Sequence, residues 1–133
     1  LNNLVMGFYM KAIVLGTLMA AVAATGATFS KSAEANELAL SLCTYVQGDD
    51  TMRMRKKLRD SRVRVRDIYS GIQCNGQSLL QFAMANGSQE IGSFIVGRLS
   101  VDELQSSGDY EWAQSNGHGD TAIAQAIKER AGF

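Results

Sequence analysis

Cys43 and Cys74 are the only cysteines and His118 is the only histidine, so the options for covalent or acid–base chemistry are few. A redox pair of the thioredoxin type uses Cys-x-x-Cys spacing, and a zinc site uses closely spaced ligand pairs. Two cysteines separated by 31 positions offer neither. His118 would have to act as the base for any Ser or Cys nucleophile. It follows Asn116-Gly117, where a turn or helix-start role accounts for it without chemistry. Asp49-Asp50 and Asp102-Glu103 are adjacent acids at turns and read as solvated, not as the opposed carboxylates of a glycosidase. The sequence contains no Gly-rich phosphate loop and no metal-binding motif. No cofactor, no metal and no enzymatic activity are expected; an envelope hydrolase built on His118 is the competing reading, and it lacks a second catalytic partner.

Charge distribution is the feature that remains. The whole chain balances 13 basic against 13 acidic residues, so net charge says little. Yet Arg53, Arg55, Lys56, Lys57, Arg59, Arg62, Arg64 and Arg66 share one stretch with Asp60 alone, and Asp67 follows it. Beyond that block Arg98, Lys128 and Arg130 are the only basic residues in an otherwise acidic remainder. One reading is a solvated helix face that pairs with neighbouring acids. The other is a surface that binds an anion or a partner. Arg62, Arg64 and Arg66 alternate with Val63 and Val65, which predicts a short extended segment near 62–68 with arginines on one side and valines on the other. Arg suits bidentate contact with carboxylate or phosphate, so this run is expected at the centre of any such surface. No aromatic residue interleaves the block, which argues against nucleic acid as the partner.

The elements that would position these residues are helical. Asn75-Gly76 is a turn signal, Ser78 can cap a helix start, and Leu79, Leu80, Phe82, Ala83 and Met84 follow. Asn86-Gly87 stops that segment. Ser88 and Glu90 open a second one, with Ile91, Phe94, Ile95 and Leu99 at helical spacing. Upstream, Leu38, Leu40, Leu42, Tyr45 and Val46 predict a helix ending at Gly48-Asp49-Asp50. Thr51 is then expected to cap a helix whose apolar residues are Met52, Met54 and Leu58. Downstream, a short turn is expected at 101–104 and a break at Gly108. Trp112 to Thr121 then echoes Phe82 to Ile91 thirty residues on, with Ala113 after Ala83 and Gly117 after Gly87.

Residues 1–35 read as separate from this domain. Met10-Lys11 looks like a start, residues 12–29 carry no charge, and Ala33-Glu34-Ala35 is a small-x-small site. That order makes a secretory signal peptide behind an upstream extension. A membrane anchor is the alternative; a lipoprotein at Cys43 is discounted because Leu42 precedes it. The expectation is a single domain over 36–133, periplasmic or secreted after cleavage near Ala35, with no stable membrane span. Export makes a Cys43–Cys74 disulfide the default. Its loop corresponds to roughly 3–4 kcal/mol in the chain-entropy view.

The 75–96 stretch resembles an ankyrin repeat. Asn75, Gly76, Leu80, Ala83, Gly87, Glu90, Ile91, Ile95 and Val96 stand where that family's pattern places such residues, with Ser78 for its Thr. Leu79, Gln81 and Ser88 depart from its Pro and two His, which implies a weaker hydrogen-bonded turn. The resemblance implies an all-α domain of stacked helix-turn-helix hairpins. The mature chain also resembles a family of small exported proteins of Gram-negative bacteria without assigned function. That likeness lies in Ala39 to Cys43, in the Arg-Val-Arg-Val-Arg run and in Ile72 to Leu80. The expected function is therefore a binding or structural module of the cell envelope that engages a protein partner, with binding of an anionic envelope polymer or lipid through residues 53–66 as the alternative.

Overall fold

Asn75 and Gly76 both adopt positive φ, 54° and 76°, and Cys74 and Gln77 exchange backbone hydrogen bonds of 2.7 and 3.0 Å across them. The tight turn places Ser78 at a helix start, where its hydroxyl accepts from the Gln81 amide while the Gln81 side chain accepts from the Ser78 amide. This reciprocal cap satisfies two amides that the first helical turn leaves without partners. The helix it opens, Leu79–Asn86, ends on Gly87 at φ 67°. The next, Gln89–Arg98, runs back against it and buries Ile91, Ile95 and Val96.

The computed structural model describes residues 30–133. The chain divides into two units, Leu1–Asn36 and Glu37–Phe133. The expected upstream extension and signal peptide fall mainly on residues 1–29, outside the described residues. In chain order the helices are α1 (Ser30–Gln47), α2 (Thr51–Ser61), α3 (Val65–Ile68), α4 (Leu79–Asn86), α5 (Gln89–Arg98), α6 (Val101–Ser106), α7 (Asp109–Ser115) and α8 (Ala122–Ala131), with a 3-10 turn at Tyr69–Gly71. The fold is all-α, and no strand occurs among the described residues. No helix among them is long and apolar enough to cross a membrane.

The thirty-residue echo is one turn built twice. Ala83 and Ala113 are both fully buried. The amides of Ser88 and His118 donate to the carbonyls of Ala83 and Ala113, each at 2.8 Å. Asn86 and Asn116 donate their side-chain amides to the Phe82 and Trp112 carbonyls, again at 2.8 Å. Gly117 repeats the left-handed φ of Gly87. The two hairpins, α4–α5 and α7–α8, pack together through α5 and α8. At Gly92 the approach is so close that a Cβ would lie 2.6 Å from Ile123 Cγ1.

Several local expectations change. The extended segment over 62–68 does not form. Arg62, at φ 55°, is the left-handed C-cap of α2. Arg64 is extended but serves as the N-cap of α3. A strand needs a neighbour for its backbone groups. Here Val63 donates to the Leu58 carbonyl and Asp67 to that of Arg64, so helix ends supply the partners instead. The division of faces survives: Val65 is 4% exposed, Val63 is half-buried, and Arg62, Arg64 and Arg66 are exposed. The turn at 101–104 is the helix α6, capped reciprocally by Ser100 and Glu103. Asp50, not Thr51, caps α2; the Thr51 hydroxyl is buried without a partner among the described residues. Asp49 is not simply solvated, because its carboxylate accepts from the Ile91 amide at 2.8 Å, in the first turn of α5. Met52 is 77% exposed, leaving Met54 and Leu58 as the buried face of α2. Cys43 and Cys74 form a disulfide that ties α1 to the turn before α4.

Candidate functional site: an arginine-lined groove

On α2, residues one turn apart share a face. Arg55, Arg59 and the cap residue Arg62 fall on one side, and Arg53, Lys56, Lys57 and Asp60 fall elsewhere. The first set, with Arg64 and Arg66 from the segment that follows, lines a groove of about 870 Å³. Arg98 joins them from the end of α5 and Arg130 from the last turn of α8. Besides the seven guanidinium groups the lining is mostly apolar, with Leu58, Val63, Val65, Phe94 and Leu99 beside Ser100, and it contains no carboxylate.

Several of these arginines are held in place. The guanidinium groups of Arg55 and Arg98 stand 5.4 and 5.1 Å from the Phe94 ring centroid, within cation–π range. Arg130 Nη1 donates to the Val96 carbonyl at 2.8 Å. Arg64 Nε donates to Asp67 at 2.9 Å, so this one arginine is internally paired. No carboxylate forms an ion pair with the other six among the described residues.

The remaining cations of the block lie apart from the groove. Arg53, Lys56 and Lys57 line a smaller cleft of about 330 Å³ with Tyr45 and Asp60. Each is paired: Arg53 with Asp50 at 3.3 Å, Lys56 with Asp60, and Lys57 with Glu37 at 3.9 Å. The Lys56 ammonium, hydrogen-bonded to Asp60, holds that carboxyl below its usual value. The expected eight-residue surface is therefore two surfaces. Five of its members meet in the groove and three do not.

A buried polar cluster stands behind the arginine segment. Asp109, at the start of α7, is 0% exposed. Its carboxylate accepts from the Tyr69 hydroxyl, from Ser78 Oγ at 2.8 Å and from Gln81 Nε2 at 3.0 Å. Burial, and then the neighbouring Asp109 charge, push the Tyr69 phenol far above its ordinary value, so it stays a donor. Tyr69 follows α3 directly, so this cluster pins the segment that carries Arg64 and Arg66 onto α4 and α7. Gln81 has two roles here. It departs from the ankyrin pattern, and its side-chain amide holds both the α4 cap and the Asp109 carboxylate.

His118 stacks on Trp112, ring centroids 5.3 Å apart and nearly parallel, which is the packing of a turn residue. No group of three acidic, His or Cys side chains is placed to hold a metal ion among the described residues. Sequence reasoning missed Phe94, Arg98, Arg130 and Asp109. Arg98 and Arg130 had a signal in hindsight, since isolated arginines in an acidic remainder are candidates to join a basic block. Asp109 had none.

A family model described as a protein of unknown function (DUF3718) matches residues 42–106. Over that stretch the chain is similar to that family. The matched residues include both cysteines, six of the seven groove arginines and the hairpin α4–α5, and stop short of Asp109 and Arg130. No curated protein and no solved structure matches the chain.

Proposed function

We propose that this protein is an exported, non-enzymatic binding module that holds an anionic partner in the arginine groove. The observation behind this reading is the convergence of seven arginines on one cavity without a lining carboxylate. Like charges gathered in this way repel one another, and an anion relieves the repulsion. Cations of the same block that lie outside the groove have acidic partners, so the charge in the groove is not a by-product of a basic helix. The proposed location outside the cytoplasm rests on the sequence of residues 10–35. It agrees with the disulfide, a bond that persists in oxidising compartments. The hairpin α4–α5 is read as an ankyrin-like repeat and α7–α8 as a short further one, and their stacking brings Arg98 and Arg130 to the groove.

Retention on a phosphocellulose column tests the reading. Arg59→Glu with Arg66→Glu and Lys56→Glu with Lys57→Glu change net charge equally. The groove pair should elute at clearly lower salt than the lysine pair. Equal elution of the two would mean that retention follows overall charge, and the groove would have no role.

A further inference from the structure

We infer that the groove selects a compact ligand bearing two or more phosphate groups, in preference to a carboxylated one. This rests on the anion-binding reading above and narrows it to a ligand class. The first argument is charge density. Seven arginines less the one paired with Asp67 leave six uncompensated positive charges around about 870 Å³. That is the size of a small-molecule site, which commonly spans about 300–1,000 Å³. A carboxylate contributes one negative charge per group. A phosphate monoester contributes about 1.5 to 2 at neutral pH, so two of them supply about 3 to 4 charges in a volume of this size. Among ligands that fit, phosphates come nearest to matching the charge.

The second argument is cation type. Every cation in the groove is arginine, while the lysines of α2 sit on the other side. A planar guanidinium presents paired donors that match phosphate oxygens two at a time, whereas an ammonium acts as a point charge. The third is direction. The arginines come from α2, the α2–α3 link, α3, α5 and α8, so the charge is gathered onto one groove from separate elements and not along one helix. Val63 and Phe94, both half-buried, offer an apolar face to the scaffold that carries the phosphates, such as a sugar or inositol ring.

Phosphates of this kind occur on soluble sugar esters and on lipid head groups, and the experiment separates the two. Calorimetric titration of the protein at fixed ionic strength would compare fructose 1,6-bisphosphate, tripolyphosphate, citrate and inorganic phosphate. Co-sedimentation would compare phosphatidylcholine vesicles with and without phosphatidylinositol 4,5-bisphosphate, a lipid with two phosphate monoesters on one ring. At least one of the two multiphosphates should bind about tenfold or more tightly than citrate and inorganic phosphate. Arg59→Gln with Arg66→Gln should remove that preference while circular dichroism is unchanged. Stronger binding to the bisphosphate lipid vesicles than to the soluble phosphates assigns the lipid source; the reverse assigns the soluble one. If citrate binds as well as the multiphosphates, phosphate selection is wrong while anion binding stands. If none of these probes binds and column retention also ignores the groove, both readings fall. The preference of the unmutated protein decides the matter even if the double variant does not fold.

Discussion

The two sides of α2 carry similar sequence and opposite electrostatics. On one side Arg53, Lys56 and Lys57 each face a carboxylate, mostly within a turn. On the other, Arg55, Arg59 and Arg62 face further arginines. The paired side behaves as a soluble helix surface does, with exposed ion pairs that contribute little to stability. The unpaired side gathers charge that the fold alone does not neutralise. A basic run in a sequence is therefore two different objects, depending on which residues the helix turns toward acids.

The unpaired side also needs a rigid back, and this gives the sharpest way to break the contrast. Asp109→Ala would leave the Tyr69, Ser78 and Gln81 donors without their acceptor. Bonds to a charged group contribute about 1.5–3 kcal/mol each, so a loss of about 3 kcal/mol or more is expected in denaturant unfolding. The groove's anion affinity should fall with it, while Lys56 and Lys57 keep their surroundings. Unchanged stability would remove the cluster from the account of how the arginines are held.

Tyr69→Phe is the next step down, at about 1–3 kcal/mol for the lost donor, and it has a pH signature. The folded phenol titrates above its ordinary value of 10.0, so the proton is held more tightly in the folded state. That contribution is complete below pH 10 and declines as pH rises through the folded value. The protein should lose stability above pH 10 more steeply than the Phe variant does. Parallel alkaline unfolding curves would contradict this.

The smallest effect belongs to the paired side. Asp60 is exposed. Its depressed carboxyl value gives a contribution present above pH 3.8 and lost as pH falls through the lower folded value. Asp60→Asn should leave the melting temperature at neutral pH unchanged within error. A clear drop would mean that the ion pairs of α2 matter more than surface pairs usually do.

Local signals made much of the fold legible. Ser78, Gly87 and the apolar spacing of Ile91 and Ile95 specify the α4–α5 hairpin between residues 78 and 95. The echo at Ala113 and Gly117 repeats its turn. The cysteine pair was legible once an oxidising compartment was assumed. The 62–68 segment misled because alternation over five residues is shared by a strand and by a chain passing between two helix ends, and only the left-handed cap at Arg62 separates them. Half the groove was hidden for another reason. Phe94, Arg98 and Arg130 reach the block through tertiary packing, which spacing along a sequence does not encode. Asp109 was hidden more completely, since an acid after Gly108 looks like any solvated helix start.

Gly92 bears on the groove from a distance. Its missing side chain lets α5 and α8 lie closer than a methyl group would permit. Arg98 ends one of these helices, and Arg130 on the other reaches back to Val96. The separation of the two helices is thus also the position of the groove's far wall. Adding a methyl group there would press on the Ile123 side chain, which lies between these two helices. A packing contact in the core thus bears on the spacing of two arginines at the surface.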